Sequence, residues 1–180
     1  MLETEINTND ELWLSKVEAP QIISDPNLFS WDDEADLVVA GLGGAGIAAA
    51  NEALDHQLSV IGIDKTNGGG STVKSGGVFY AGGGTPIQLA AGVEDTPENM
   101  FNYLIQETGD VVKKSTLKKF CDTSAETTQW LMDNGVQFDS SYYKIKTSYP
   151  GEGYYLYHSD NSLVPSYMQN AIPAPRGHRG

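Results

Sequence analysis

The chain has 180 residues, of which 11 are basic and 24 acidic, giving a formal net charge of −13. That length suits one domain, or one and part of another, and so acidic a surface argues against nucleic acid and anionic lipid as partners. The lone cysteine, Cys121, cannot form an internal disulfide, no apolar run is long enough to span a membrane, and the acidic start lacks the basic-then-apolar order of a secretory signal, so a cytoplasmic location is expected.

Residues 1–34 are polar and irregular, and are expected to form an arm anchored on the domain by Trp13, Phe29 and Trp31. Residues 36–40, DLVVA, read as a short buried strand, β-branched at Val38 and Val39. A glycine turn over residues 41–46 follows. The small residues from Ala45 to Leu54 predict a helix that packs closely on a sheet, and LSVIGI, residues 58–63, predicts a second strand parallel to the first. Together they make a βαβ unit with the usual right-handed crossover.

The next segment, residues 67–85, is NGGGSTVKSGGVFYAGGGT. Of the 20 glycines in the chain, 14 lie between Gly41 and Gly92, a density that resembles a flexible linker. A solvated linker has no use for Val73, Val78, Phe79 and Tyr80, so a folded loop lying close to a ligand is expected instead. Thr96 and Pro97 then mark a helix start and Gly109 its stop. A second helix is predicted over 110–123, with Val112, Leu117, Phe120 and Cys121 inward. A third is predicted over 125–134, capped by Ser124 and closed by Gly135. From Val136 the chain is aromatic and irregular, and residues 171–180, AIPAPRGHRG, read as a loop with nothing after it to close the domain. The expected class is α/β, with residues 35–180 the N-terminal portion of a Rossmann-like dinucleotide-binding domain.

The chemistry sits in the glycine turn. Gly41-Leu42-Gly43-Gly44-Ala45-Gly46 fits G-x-G-x-x-G. The first glycine permits the tight turn, the second lets backbone approach a pyrophosphate, and the third lets helix and strand pack closely. The helix N-terminus adds free N–H groups and the positive end of the dipole, which is how an acidic protein can hold a phosphate. Asp64 ends the second strand 23 residues after Gly41, close to the ~20 at which such folds place the acid that accepts ribose hydroxyls. Lys65 stands beside it. A purely structural turn and a solvated strand-end acid remain the plainer alternatives.

A nicotinamide enzyme would return to βα alternation after Asp64. Here a second glycine loop begins at once, and it suggests a longer cofactor running over this segment. Ser71, Thr72 and Ser75 offer hydroxyls, and Gly70, Gly76 and Gly77 offer close approach to a pyrophosphate or a flat ring. FAD fits this better than NAD. A nicotinamide dehydrogenase would regain ground if residues 68–77 lay far from the first turn.

The path DLVVAGLGGAGIAAA, VIGIDK, GGGSTVKSGG resembles the flavoprotein family of fumarate reductase, succinate dehydrogenase and 3-ketosteroid dehydrogenases. WDDEADLVVAGLGGAG and SGGVFYAGGGTPIQ are most similar to its 3-ketosteroid Δ4-(5α)-dehydrogenase branch, and ETTQWLMDNGVQF is similar to a later family segment. The resemblance implies an FAD-binding domain interrupted by a capping domain, with substrate held against the flavin between them. It implies that Gly41, Gly43, Ala45 and Gly46 line the pyrophosphate, that Asp64 holds the ribose, and that Ser71, Thr72, Ser75, Gly76 and Gly77 follow the cofactor toward its ring. Some members bind FAD covalently through a histidine in this loop. The histidines here are His56, His158 and His178, so non-covalent FAD is expected.

The family's longer chains imply that this one is an N-terminal fragment, cut before the capping domain and the closing cofactor segments. The catalytic acid and base are expected beyond Gly180. The implied activity of the parent is hydride transfer between a substrate carbon and flavin N5, with a 3-ketosteroid as substrate. A small dicarboxylate such as fumarate is the competing substrate, and a non-catalytic nucleotide-binding fragment the competing class. The Tyr154, Tyr155, Tyr157 cluster reads as packing, and His158 with Asp160 as a surface-loop pair.

Overall fold

The computed structural model describes residues 19–180, so the expected anchor Trp13 lies outside it. Two strands, β1 (Leu37–Ala40) and β2 (Val60–Ile63), run parallel and are joined by helix α1 (Gly44–Asp55). Their register pairs Leu37 with Val60 and Ala40 with Ile63. Strand alternation sends Val39 against α1, where it is buried. Val38 points the other way and is 56% exposed; Ile63 is 52% exposed. The predicted βαβ unit is therefore present, with its sheet covered on one face. β2 starts two residues later than expected because the Leu58 N–H is taken by the Ala53 carbonyl at the exit of α1.

The rest of the described chain builds a second sheet. Strands β3 (Val78–Tyr80), β4 (Tyr142–Tyr143), β5 (Leu156–Tyr157) and β6 (Gly177–Arg179) lie in the order β3-β6-β5-β4. β6 is antiparallel to both its neighbours, and β4 is parallel to β5. Helices α2 (Pro86–Ala90), α3 (Pro97–Thr108) and α4 (Lys114–Asp133) pack beside it, around a core that includes Met100, Tyr103, Leu117, Cys121, Leu156 and Tyr157.

The segment 171–180 is no trailing loop: β6 sits in the middle of its sheet, and Arg176 and His178 are fully buried. The predicted break at Ser124 does not exist, and α4 runs unbroken for 20 residues. Its serine and threonine side chains do not compete with the helix. Thr123, Thr127 and Thr128 donate to the carbonyls of Lys119, Thr123 and Ser124, one turn back. The Ser124 hydroxyl leaves the helix altogether and accepts from the Gly82 N–H at 3.0 Å. Leu117 and Cys121 face inward as expected, but Phe120 is exposed. Phe29 and Trp31 lie against each other with tilted rings, centroids 4.6 Å apart, and stay exposed, so they do not anchor an arm.

α3 begins as read, with Thr96 accepting from the Asn99 N–H, Pro97 in the first turn and Gly109 at the stop. α2 was not anticipated, although its start carries the same Thr-Pro signal. Thr85 and Gln88 form a reciprocal capping box around Pro86.

Candidate cofactor site

The glycine turn leaves β1 at Gly41, whose φ of +95° suits glycine and few other residues. Its N–H extends the ladder by donating to the Ile63 carbonyl at 2.7 Å. At Gly46 the constraint is space: a Cβ there would overlap the Gly41 carbonyl oxygen and come within 3.2 Å of the Val39 side chain. Helix and strand meet at that contact. Gly43 is the N-cap of α1 and offers no side-chain acceptor. The N–H groups of Gly44, Ala45 and Gly46 have no acceptor among the described residues, so they are free for an anion at the positive end of the helix.

Asp64 faces this turn. One carboxylate oxygen accepts from the Leu42 N–H at 2.7 Å; the other accepts from the Thr66 N–H at 2.8 Å and its hydroxyl at 2.7 Å. The Thr66 hydroxyl, then the Leu42 N–H, hold the carboxyl below its ordinary value. An ionised carboxylate has about four acceptor sites, so these three bonds leave room for a ribose hydroxyl.

The second glycine loop folds back on the first. The Gly69 N–H donates to the Leu42 carbonyl at 2.7 Å. A Cβ on Gly70 would sit 3.2 Å from the Gly43 Cα, and one on Gly44 would sit 3.0 Å from the Thr72 hydroxyl oxygen. Between the loops opens a pocket of about 1130 Å³, lined by Gly41, Ile63, Asp64, Lys65, Gly70 and Lys74 among others. Two lysines of an acidic chain therefore line it, whereas Gly43, Gly44, Ala45 and Gly46 do not. Thr66, Asn67 and Gly68 also line it and were missed by the sequence reading. The Asp64-x-Thr66 spacing, typical of an Asx turn, was the available signal.

Ser71, Thr72, Ser75, Gly76 and Gly77 lie outside that lining, on the exposed stretch by which the loop leaves the turn and enters β3. Thr72–Lys74 form a single 3-10 turn, and the Ser75 hydroxyl accepts from the Gly77 N–H at 3.3 Å. The third glycine cluster is different in kind. The N–H groups of Gly82, Gly83 and Gly84 are all taken by side chains, those of Ser124, Asp95 and Gln88. It braces the fold and has no donors left for a ligand.

His158 and Asp160 are not a surface pair. His158 is buried beside Tyr142, Nε2 2.7 Å from the hydroxyl, and burial pushes its pKa down. Asp160 accepts from the Tyr80 hydroxyl at 2.7 Å and lies 3.5 Å from Arg176.

Free helix N–H groups, a carboxylate directly after β2, and a second glycine loop in contact with the first together suit a dinucleotide with a diphosphate bridge. The comparisons agree. Residues 36–164 match the family model described as FAD binding domain. The chain is 42% identical over 152 residues to the 3-oxo-5-alpha-steroid 4-dehydrogenase of Comamonas testosteroni, covering 83% of this chain and 28% of that protein. The crystal structure of 3-ketosteroid-delta4-(5alpha)-dehydrogenase from Rhodococcus jostii RHA1, in complex with 4-androstene-3,17-dione, superposes with a TM-score of 0.78 at 38% identity. It covers 84% of this chain and 32% of that one. The open conformation of a flavocytochrome c3 fumarate reductase matches at TM-score 0.50 and 30% identity, over 58% of this chain and 19% of its own. The chain thus spans less than a third of the length of each of these relatives, and it belongs to the FAD binding domain family.

Proposed function

We propose that the polypeptide is an FAD-dependent oxidoreductase that acts on a CH–CH bond of a 3-ketosteroid and holds FAD non-covalently. The observation that carries the cofactor reading is the contact between the two glycine loops, Gly69 on Leu42 and Gly70 on Gly43. A nicotinamide site has no need of the second loop. The steroid rests on the names of the two most similar relatives reported above.

When bound, FAD would supply hydride transfer at flavin N5. The residues of this chain would bind and orient it. Asp64 accepts the ribose hydroxyls. The N–H groups of Gly44, Ala45 and Gly46 would hold the pyrophosphate. Ser71, Thr72, Ser75, Gly76 and Gly77 follow the cofactor toward its ring. No histidine stands in that loop to form a covalent link: His56 ends α1, and His158 and His178 are buried in the second sheet.

On this reading, residues 35–180 are the first portion of the FAD-binding domain, in a cytoplasmic enzyme. The capping domain and the catalytic acid and base belong to the part of the relatives' length that this chain does not span. The exposed Val38 and Ile63 suit burial under that further structure. The dicarboxylate alternative needs arginines free to grip carboxylates. Of the two arginines here, Arg176 is fully buried against Asp95 and only Arg179 has no carboxylate partner among the described residues.

The test is turnover by the full-length FAD-loaded protein with an artificial electron carrier, offered 4-androstene-3,17-dione or its ring-A-saturated counterpart on one side and fumarate on the other. Steroid turnover without fumarate reduction is expected. Fumarate reduction alone would overturn the substrate.

A further inference from the structure

The chain has two arginines, and they have opposite settings. Arg176 is buried and clamped by a carboxylate. Arg179, three residues on, is partly exposed and has no carboxylate within ion-pair distance among the described residues. It lies instead against tyrosine rings, with its guanidinium carbon 4.7 Å from the centroid of Tyr149 and 5.5 Å from that of Tyr155. Stacking on a ring face fixes a guanidinium and leaves its in-plane N–H donors available. In a chain of net charge −13, a cation held this way and unmatched by an acid stands out.

Its position follows from the sheet. The register of β3 on β6 pairs Arg179 with Val78, the residue directly after Gly77. Tyr149 reaches the same place, since a Cβ on Gly76 would sit 3.8 Å from Tyr149 Cε2. Cation, ring and the end of the second glycine loop therefore form one surface. Asp64 and Gly43 mark the adenosine and pyrophosphate end of the cofactor site, and Gly70 still touches Gly43. Gly76 and Gly77 lie farther along the same loop, where the other half of a dinucleotide would fall.

We propose that Arg179, oriented by Tyr149, presents its positive charge to the isoalloxazine ring and stabilises the negative charge the ring gains on two-electron reduction. The proposal rests on the FAD reading of the site. A cation near the ring raises the reduction potential, and it also tightens binding of sulfite, which adds negative charge to the oxidised ring.

The experiment uses the full-length FAD-loaded protein and measures flavin midpoint potential and sulfite affinity in Arg179→Gln and Arg179→Lys. Arg179→Gln is expected to lower the reduced-to-oxidised ratio at fixed potential about tenfold, a shift of ~30 mV for a two-electron couple. Sulfite affinity should fall with it, and Arg179→Lys should recover most of both. A wild-type potential and sulfite affinity in Arg179→Gln, with flavin fully bound, would overturn the proposal. Should Arg179→Gln lose its flavin, Arg179→His makes the comparison within one protein. Its potential relative to wild type should fall as the pH rises through about 6.5 and the imidazole loses its charge, and a constant difference would overturn the proposal. Wild-type protein without flavin would instead overturn the FAD reading itself.

Discussion

Arg176 grips Asp95 side-on, with Nε and Nη2 each 2.9 Å from a different carboxylate oxygen and neither side chain exposed. The pair ties β6 to the turn before α3. Asp95 also accepts from the Gly83 N–H at 3.1 Å and from Asn99 Nδ2 at 2.6 Å, so it braces the third glycine cluster as well. Burial opposes both charges, but the bonds outweigh it, holding the carboxyl below and the guanidinium above their ordinary values. Removing one partner strands the other charge in the core. Arg176→Met or Asp95→Leu alone should each cost about 3–5 kcal/mol, and the double replacement less than the sum of the two. Urea unfolding of the singles and the double checks this.

Gly46→Ala should separate helix from strand, because its Cβ has only the Gly41 backbone to displace. Overpacking of this kind costs roughly 1–3 kcal/mol, and here it also moves the N–H groups that would hold the phosphates. Flavin content per chain should fall sharply. Gly44→Ala meets only the Thr72 hydroxyl oxygen, at 3.0 Å, on a side chain that can turn away. It should retain most of the flavin.

Asp64→Asn keeps the size of the side chain and removes its charge. The amide cannot accept from Leu42 and Thr66 on both sides as the carboxylate does. Hydrogen bonds to a charged group contribute about 1.5–3 kcal/mol, so FAD should bind at least tenfold more weakly by calorimetry.

His178 makes stability depend on pH. Its Nδ1 lies 3.1 Å from the Arg176 carbonyl and its Nε2 2.9 Å from the Thr85 hydroxyl. A carbonyl can only accept, so Nδ1 carries the proton and Nε2 accepts from Thr85. Burial pushes the imidazole pKa down to about 4. The unfolded chain binds a proton near the ordinary value of ~6.5 that the folded one refuses. This contribution is therefore full above ~6.5 and is lost as pH falls toward about 4, by on the order of 3 kcal/mol. Thermal unfolding across that window should show the slope in wild type, and a shallower one in His178→Gln, where buried His158 still contributes in the same sense.

The first motif and its strand–turn–helix setting were legible in the sequence because each glycine there answers a local constraint. The same holds for the position of Asp64 directly after β2 and for the start of α3. What escaped depended on partners far along the chain. Ser124 looked like a cap, and only the Gly82 N–H shows where its hydroxyl goes. Residues 171–180 looked like an ending, and only β3 and β5 make β6 a central strand. His158 and Asp160 looked exposed because Tyr142, Tyr80 and Arg176, which bury them, lie elsewhere in the sequence. The grouping of Tyr149, Arg179 and Gly76 has no local signature at all.

What the glycine turn holds decides the function. The decisive measurement is the visible spectrum of the full-length protein as purified, followed by heat or acid release of any chromophore. The two absorption bands of oxidised flavin are expected, with the colour passing wholly into the supernatant and identified there as FAD. A colourless protein that neither takes up FAD nor shifts its stability when FAD is added would contradict the FAD reading.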